Sequence, residues 1–102
     1  MFKQDSRYVT RGVNSEIDIR LQLAMWSLID ILKMKEGVEV DYLQVFRLKK
    51  EEDFIKIEHS QEVPEYRSIH RIEIDDIELV KDTKIFVIDS GDYSTMLLPE
   101  EY

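Results

Sequence analysis

The sequence has no cysteine, and that one absence removes a disulfide scaffold, a thiol nucleophile and a thiolate zinc site together. Glycine and proline are scarce, at three and two residues. No Pro/Gly/Ser-rich linker, repeat or low-complexity tract can be drawn from them, so residues 1–102 read as a single domain. Gly12, Gly37 and Gly91 stand alone, which excludes a glycine-rich phosphate loop. Only two imidazoles occur, His59 and His70, and neither belongs to a His-Glu-x-x-His zinc hydrolase signature. No unbroken apolar run is longer than Leu23 to Trp26, far short of a membrane span. Met1 to Val9 carries Lys3, Asp5 and Arg7 and therefore no apolar signal core. The expectation is a soluble, cytoplasmic domain.

What is present suffices for a core. The chain is 43% hydrophobic with 10% aromatic residues, more than disordered segments carry. For 102 residues, size scaling gives roughly 6,000 Å² of folded surface against about 18,000 Å² for the open chain.

Charge narrows the partners. Fourteen Lys and Arg face 22 Asp and Glu, a net −8, unevenly placed: residues 1–50 carry +2 and residues 51–102 carry −10. Phosphate-binding surfaces need a positive field, and no run of Lys or Arg interleaved with aromatics supplies one here. Nucleic acid and anionic membranes are therefore disfavoured as partners, and the charge excess reads as solubility.

Periodicity and punctuation predict one long helix and five or six short strands. Arg7 to Val13 reads as a first strand ending near Gly12. Ser15 followed by Asp18 resembles a capping box, and Glu16 to Lys35 runs without Gly or Pro, with Lys33 and Lys35 in its last turn and Gly37 beyond it. Asp41–Lys49 and Phe54–Gln61 alternate as strands of a hairpin around the charged turn Lys49–Asp53. Tyr66–Ile74, Lys84–Asp89 and Tyr93–Leu98 supply the rest, with Ser90-Gly91 as a tight turn and Asp75 to Asp82 as a loop. Met96, Leu97 and Leu98 are too apolar for a frayed tail, so they are expected to pair with the strand ending at Asp89. Short loops favour antiparallel neighbours, and only the helix offers a parallel crossover. The predicted fold class is α+β: two layers, one long helix packed on a largely antiparallel sheet.

Candidate chemistry is sparse. His59 and His70 on neighbouring strands could form a metal or acid/base pair, but two isolated histidines are more often surface or hydrogen-bonded residues. Asp89 and Glu100 have the end-to-end spacing of an EF-hand loop, yet Gly91, Tyr93 and Ser94 break its interior pattern. Ser94 and Thr95 beside Asp92 lack a nucleophile-elbow context. Gln44 and Gln61 could line a polar cleft or, more simply, the solvent face of a sheet. No catalytic, cofactor-binding or metal-binding residue is assigned, and no cofactor is expected.

The helix carries the sharper expectation. At about 100° per residue, Ile17, Leu21, Ala24, Met25, Leu28, Ile31 and Leu32 share one broad face suited to the sheet. Ile19, Leu23 and Trp26 fall on the opposite side with Met34 near its end, a second apolar stripe. That stripe is either covered by a curled sheet or the Asp75–Asp82 loop, or it is an interface centred on Trp26, a residue type enriched at binding hot spots.

Several segments look familiar together: Arg7-Tyr8-Val9-Thr10-Arg11-Gly12-Val13, Asp41-Tyr42-Leu43-Gln44-Val45-Phe46, Gln61-Glu62-Val63-Pro64-Glu65-Tyr66 and the ending from Gly91 to Tyr102. Through them the chain resembles a family of short uncharacterised proteins from low-GC Gram-positive bacteria, a domain of unknown function. The resemblance implies a bacterial cytoplasmic protein and transfers no site residue. The expectation is therefore a non-enzymatic interaction module, binding a protein partner or itself as a homodimer through Ile19, Leu23 and Trp26. The alternative is a small-molecule binder or enzyme with a cleft between helix and sheet, using Tyr42, Gln44 and His59.

Overall fold

The computed structural model describes residues 1–73, 76, 77, 79 and 81–102. Six strands form one sheet: β1 (Arg7–Val9), β2 (Leu43–Lys50), β3 (Ile55–Gln61), β4 (Tyr66–Ile72), β5 (Thr83–Asp89) and β6 (Ser94–Leu97). Their spatial order is β1-β6-β5-β2-β3-β4. Every neighbouring pair is antiparallel except β1 with β6. Two helices, α1 (Arg11–Glu16) and α2 (Ile19–Met34), connect β1 to β2. The architecture is α+β with a largely antiparallel sheet, as the alternation and short loops predict. Ile74 and Asp75, included in the predicted third hairpin strand and loop, lie outside the described residues.

The start of the helix differs from its sequence signals. The predicted strand to Val13 stops at Val9, because Thr10 takes the cap of α1 and its Oγ1 accepts the Val13 amide at 3.2 Å. Ser15 lies inside α1 and caps nothing. The chain leaves α1 at Ile17, whose backbone is extended, and Asp18 caps α2 by accepting the Arg20 amide at 2.8 Å. Two cap-competent residues eight apart each start a helix: α1 takes residues expected in the first strand and at the helix cap, and α2 takes most of the expected Glu16–Lys35 run.

The core lies between α2 and the face of the sheet bearing Phe46, Leu48, Ile57, Ile85, Val87 and Met96, all at most 1% exposed. Met96 and Leu98 are buried in it, and β6 pairs with β5 from Asp89–Ser94 to Phe86–Leu97, as expected for the apolar ending. Ile77 and Leu79 also contribute.

An unpredicted component is Phe2. Its ring is fully buried, and its backbone adopts φ of +53°, a left-handed conformation uncommon outside glycine. The turn is held at both ends: the Phe2 amide donates to Asp89 Oδ1 at 3.0 Å, and its carbonyl accepts from Arg7 Nη2 at 2.8 Å and Lys33 Nζ at 3.2 Å.

Candidate functional site

The outward side of α2 is the first candidate. Ile19 and Leu23 are each 58% exposed, Ile31 is 49% and Met34 is 81% exposed. They form a ridge along the helix with the small, exposed Ser27 at its middle. Two of the three expected interface residues, Ile19 and Leu23, are on it.

Trp26 is not. It is 8% exposed and belongs to the core, so the stripe does not centre on it. The buried arc of α2 comprises Leu21, Gln22, Met25, Trp26, Leu28, Ile29 and Leu32, which turns the helix by about 70° from the face expected by periodicity. Ile31, expected inside, is correspondingly outside. The physical reason is the segment before β1. Arg7 stands 4.9 Å from the Trp26 ring and donates from Nη1 to Asp30 Oδ2 at 3.1 Å, while Gln4 Nε2 reaches the same oxygen at 3.3 Å. Arg7 beside it holds the Asp30 carboxyl below its usual range. The polar residue on the outer side of the helix is thus an anchor, and the chain it anchors covers the indole.

The second candidate, the cleft built on Tyr42, Gln44 and His59, does not assemble. Tyr42 is 54% exposed, whereas Gln44 and His59 are buried in one closed network. The amide orientations follow from backbone partners. Gln61 Nε2 donates to the carbonyls of Glu39 (2.8 Å) and Pro64 (2.9 Å), so Gln61 Oε1 is the acceptor for the Asp41 amide (3.0 Å) and Gln44 Nε2 (2.7 Å). Gln44 Nε2 also donates to the Asp41 carbonyl at 2.9 Å. Gln44 Oε1 therefore faces His59 Nε2 at 2.6 Å, and His59 must carry its proton there. Its ring stacks on Phe46 at 4.4 Å, and Tyr66 approaches edge-on at 5.6 Å. Burial, with His70 adding a smaller repulsion, pushes the His59 pKa down to about 4. His59 is a neutral core histidine bonded to Gln44, and through Gln44 and Gln61 the network ties two loops to the sheet. Gln44 and Gln61, assigned to a solvent face or cleft by their residue type, serve the same joint.

His70 shares the helix-facing side of the sheet with His59, through the register Ile57–His70 and His59–Ser68. Its Nε2 lies 2.8 Å from Ser68 Oγ, a short polar pair on the edge strand. Ser94 is fully buried, and Asp89 directs both carboxylate oxygens at the backbone amides of Phe2 and Gly91.

A third feature has no counterpart as a run in the sequence. On the face of the sheet away from α2, Arg47, Lys49, Lys56, Arg67, Arg71 and Lys84 come together from four strands. The linear sequence shows no Lys/Arg cluster interleaved with aromatics; pairing of the strands gathers a cationic face. Its trace in the sequence is cations on one strand face, Arg47 with Lys49 and Arg67 with Arg71 on either side of Ile69.

Among solved structures, the chain is similar to a protein of unknown function from Enterococcus faecalis, with 28% identity and a TM-score of 0.83 over 100% of this chain and 98% of that one. No curated protein matches it. A family model matches residues 6–101, nearly the whole sequence, and the chain belongs to that family, DUF960, described as a Staphylococcal protein of unknown function.

Proposed function

We propose that this is a non-enzymatic, cytoplasmic interaction module that associates with a second copy of itself through the outward ridge of α2. The observation that supports this reading is the lane Ile19, Leu23, Ile31 and Met34, four large apolar side chains from 49% to 81% exposed on the one long helix. With Arg7 over Trp26 and Phe2 buried in the core, that lane is left exposed on α2.

A second copy fits it in an antiparallel crossing centred on Ser27. Leu23 of each copy then meets Ile31 of the other, and the small serine permits close approach of the two helices. Asp18, which caps the start of α2, is brought toward Lys33 in its last turn and Lys35 at its end, and antiparallel helix dipoles oppose favourably. The four side chains offer on the order of 500 Å² per copy, less than the ~800 Å² of a standard interface, so the dimer is weak and concentration-dependent.

Sedimentation equilibrium from roughly 10 μM to 1 mM, a range suited to weak dimers, tests it. The average mass rises toward that of two chains in the natural protein and stays at one in Leu23→Glu and Ile31→Glu, with circular dichroism unchanged. A natural protein monomeric throughout, or a dimer indifferent to both substitutions, would sink the reading.

A further inference from the structure

We propose that the open face of the sheet, over β5, β2 and β3, binds a compact phosphate-bearing polyanion. The register brings cations directly opposite one another in three places: Lys84 with Arg47, Lys49 with Lys56, and Lys56 with Arg71. Opposed like charges destabilise a sheet, and acidic residues at alternate positions would remove the penalty in a chain that has 22 of them. Instead a single carboxylate, Glu58, stands within the group. It accepts from Arg47 Nη1 at 3.2 Å and from Arg67 Nη2 at 2.6 Å, and these arginines hold its carboxyl below the usual range. Glu58 thereby fixes two guanidinium groups without neutralising the rest.

The remaining cations are loosely engaged. Lys49 is 3.9 Å from Glu51, Arg71 is 3.7 Å from Glu73 while lying over the Phe54 ring, and Lys84 lies over the Phe86 ring. Lys56 and Lys84 have no carboxylate within ion-pair distance among the described residues. Arg47, Lys49, Lys56 and Lys84 line a shallow cavity of about 330 Å³ together with Leu48, Thr83 and two carboxylates, the arginine-paired Glu58 and Asp82. That volume is at the lower end of small-ligand sites. Convergent ammonium and guanidinium groups on a rigid sheet suit phosphate oxygens, with arginine giving the planar fork and lysine the point charge.

The size of the ligand follows from the charge around the site. Six cations and Glu58 give the face a formal +5, so the rest of a chain of net −8 carries −13. A long polyanion such as single-stranded nucleic acid would run off the face onto repulsive surface, past Glu51, Glu73 and Asp82 at its rim. A pyrophosphate-sized group would not. This site is on the opposite side of the sheet from the α2 ridge, so it stands or falls independently of self-association.

The test is titration of the full chain with inorganic pyrophosphate at low salt, followed by backbone amide NMR, with a dT12 oligonucleotide as the second arm. The expected result is saturable shifts confined to β2, β3 and β5 around Arg47, Lys49, Lys56 and Lys84. Lys56→Gln with Lys84→Gln weakens binding at least tenfold, while Lys35→Gln on α2 leaves it unchanged. Both substitutions are at exposed or half-exposed positions and relieve repulsion, so the fold is retained. Absence of saturable shifts, shifts spread equally over Lys3, Lys33 and Lys35, or tighter binding of dT12 than of pyrophosphate overturns the proposal.

Discussion

His59 gives the protein a specific acid sensitivity. In the unfolded chain its imidazole takes a proton near the ordinary histidine value of 6.5; in the fold, burial lowers this to about 4. Between those values the unfolded state binds the proton and the native state does not, so stability rises with pH across the window and is lost on acidification. Above about pH 6.5 both states are neutral and the group contributes nothing further. At pH 4.5 the difference amounts to about 2 kcal/mol relative to pH 7. The carboxylates held below their usual range by partners, Asp18 (about 2), Asp30, Glu58, Asp76 and Glu101, lose their own contribution as pH falls through the carboxylate range, but they do so in the natural protein and in a His59 variant alike, so the difference between the two isolates the histidine. Urea unfolding at pH 7 and 4.5 measures the loss, and His59→Gln keeps an N–H for Gln44 Oε1 without a titrating group. The natural protein should lose about 2 kcal/mol more than the variant between the two pH values. Equal losses would refute the reasoning. If the variant does not fold, an NMR titration of the natural His59 ring decides instead, and a pKa near its unperturbed value would refute it.

Other outcomes follow from the same packing. Phe2→Ala empties a fully buried site and should cost about 3–5 kcal/mol, read in thermal or urea unfolding, with Trp26 fluorescence shifting to the red as its cover loosens. Asp30→Asn leaves the Arg7 guanidinium short of its charge partner and should cost about 2 kcal/mol at pH 7. Because the Asp30 carboxyl is held low, that contribution is present above about pH 4 and disappears as pH falls below it, so the variant and the natural protein should converge in acid. A methyl group on Gly12 would sit 2.7 Å from Glu101 Oε2. Gly12→Ala should therefore push this flexible carboxylate off Thr10 Oγ1 and the Leu98 amide, and hydrogen exchange at Leu98 should quicken with little change in global stability.

Composition and alternation alone determined the class of fold. Inside–outside patterns such as Ile55 and Ile57 against Lys56 and Glu58 define strands because the side-chain period is two, and short loops between them favour antiparallel neighbours. The uninterrupted run after Asp18 defines a helix for the same local reason. Which side of that helix faces inward was not a local matter. Periodicity marks two apolar stripes on α2, and only the anchoring of Phe2 and Arg7, by groups as distant as Asp89 and Asp30, decides that Trp26 is inside and Ile31 outside. Long-range partners likewise gather Gln44, His59 and Gln61, for which residue type left surface, cleft and hydrogen-bonded readings open, into one buried joint. The basic face depends wholly on strand register: cations far apart in a net acidic chain become neighbours only when β5, β2, β3 and β4 lie side by side. Local sequence sets which elements form, whereas charge and burial are properties of the surfaces those elements make together.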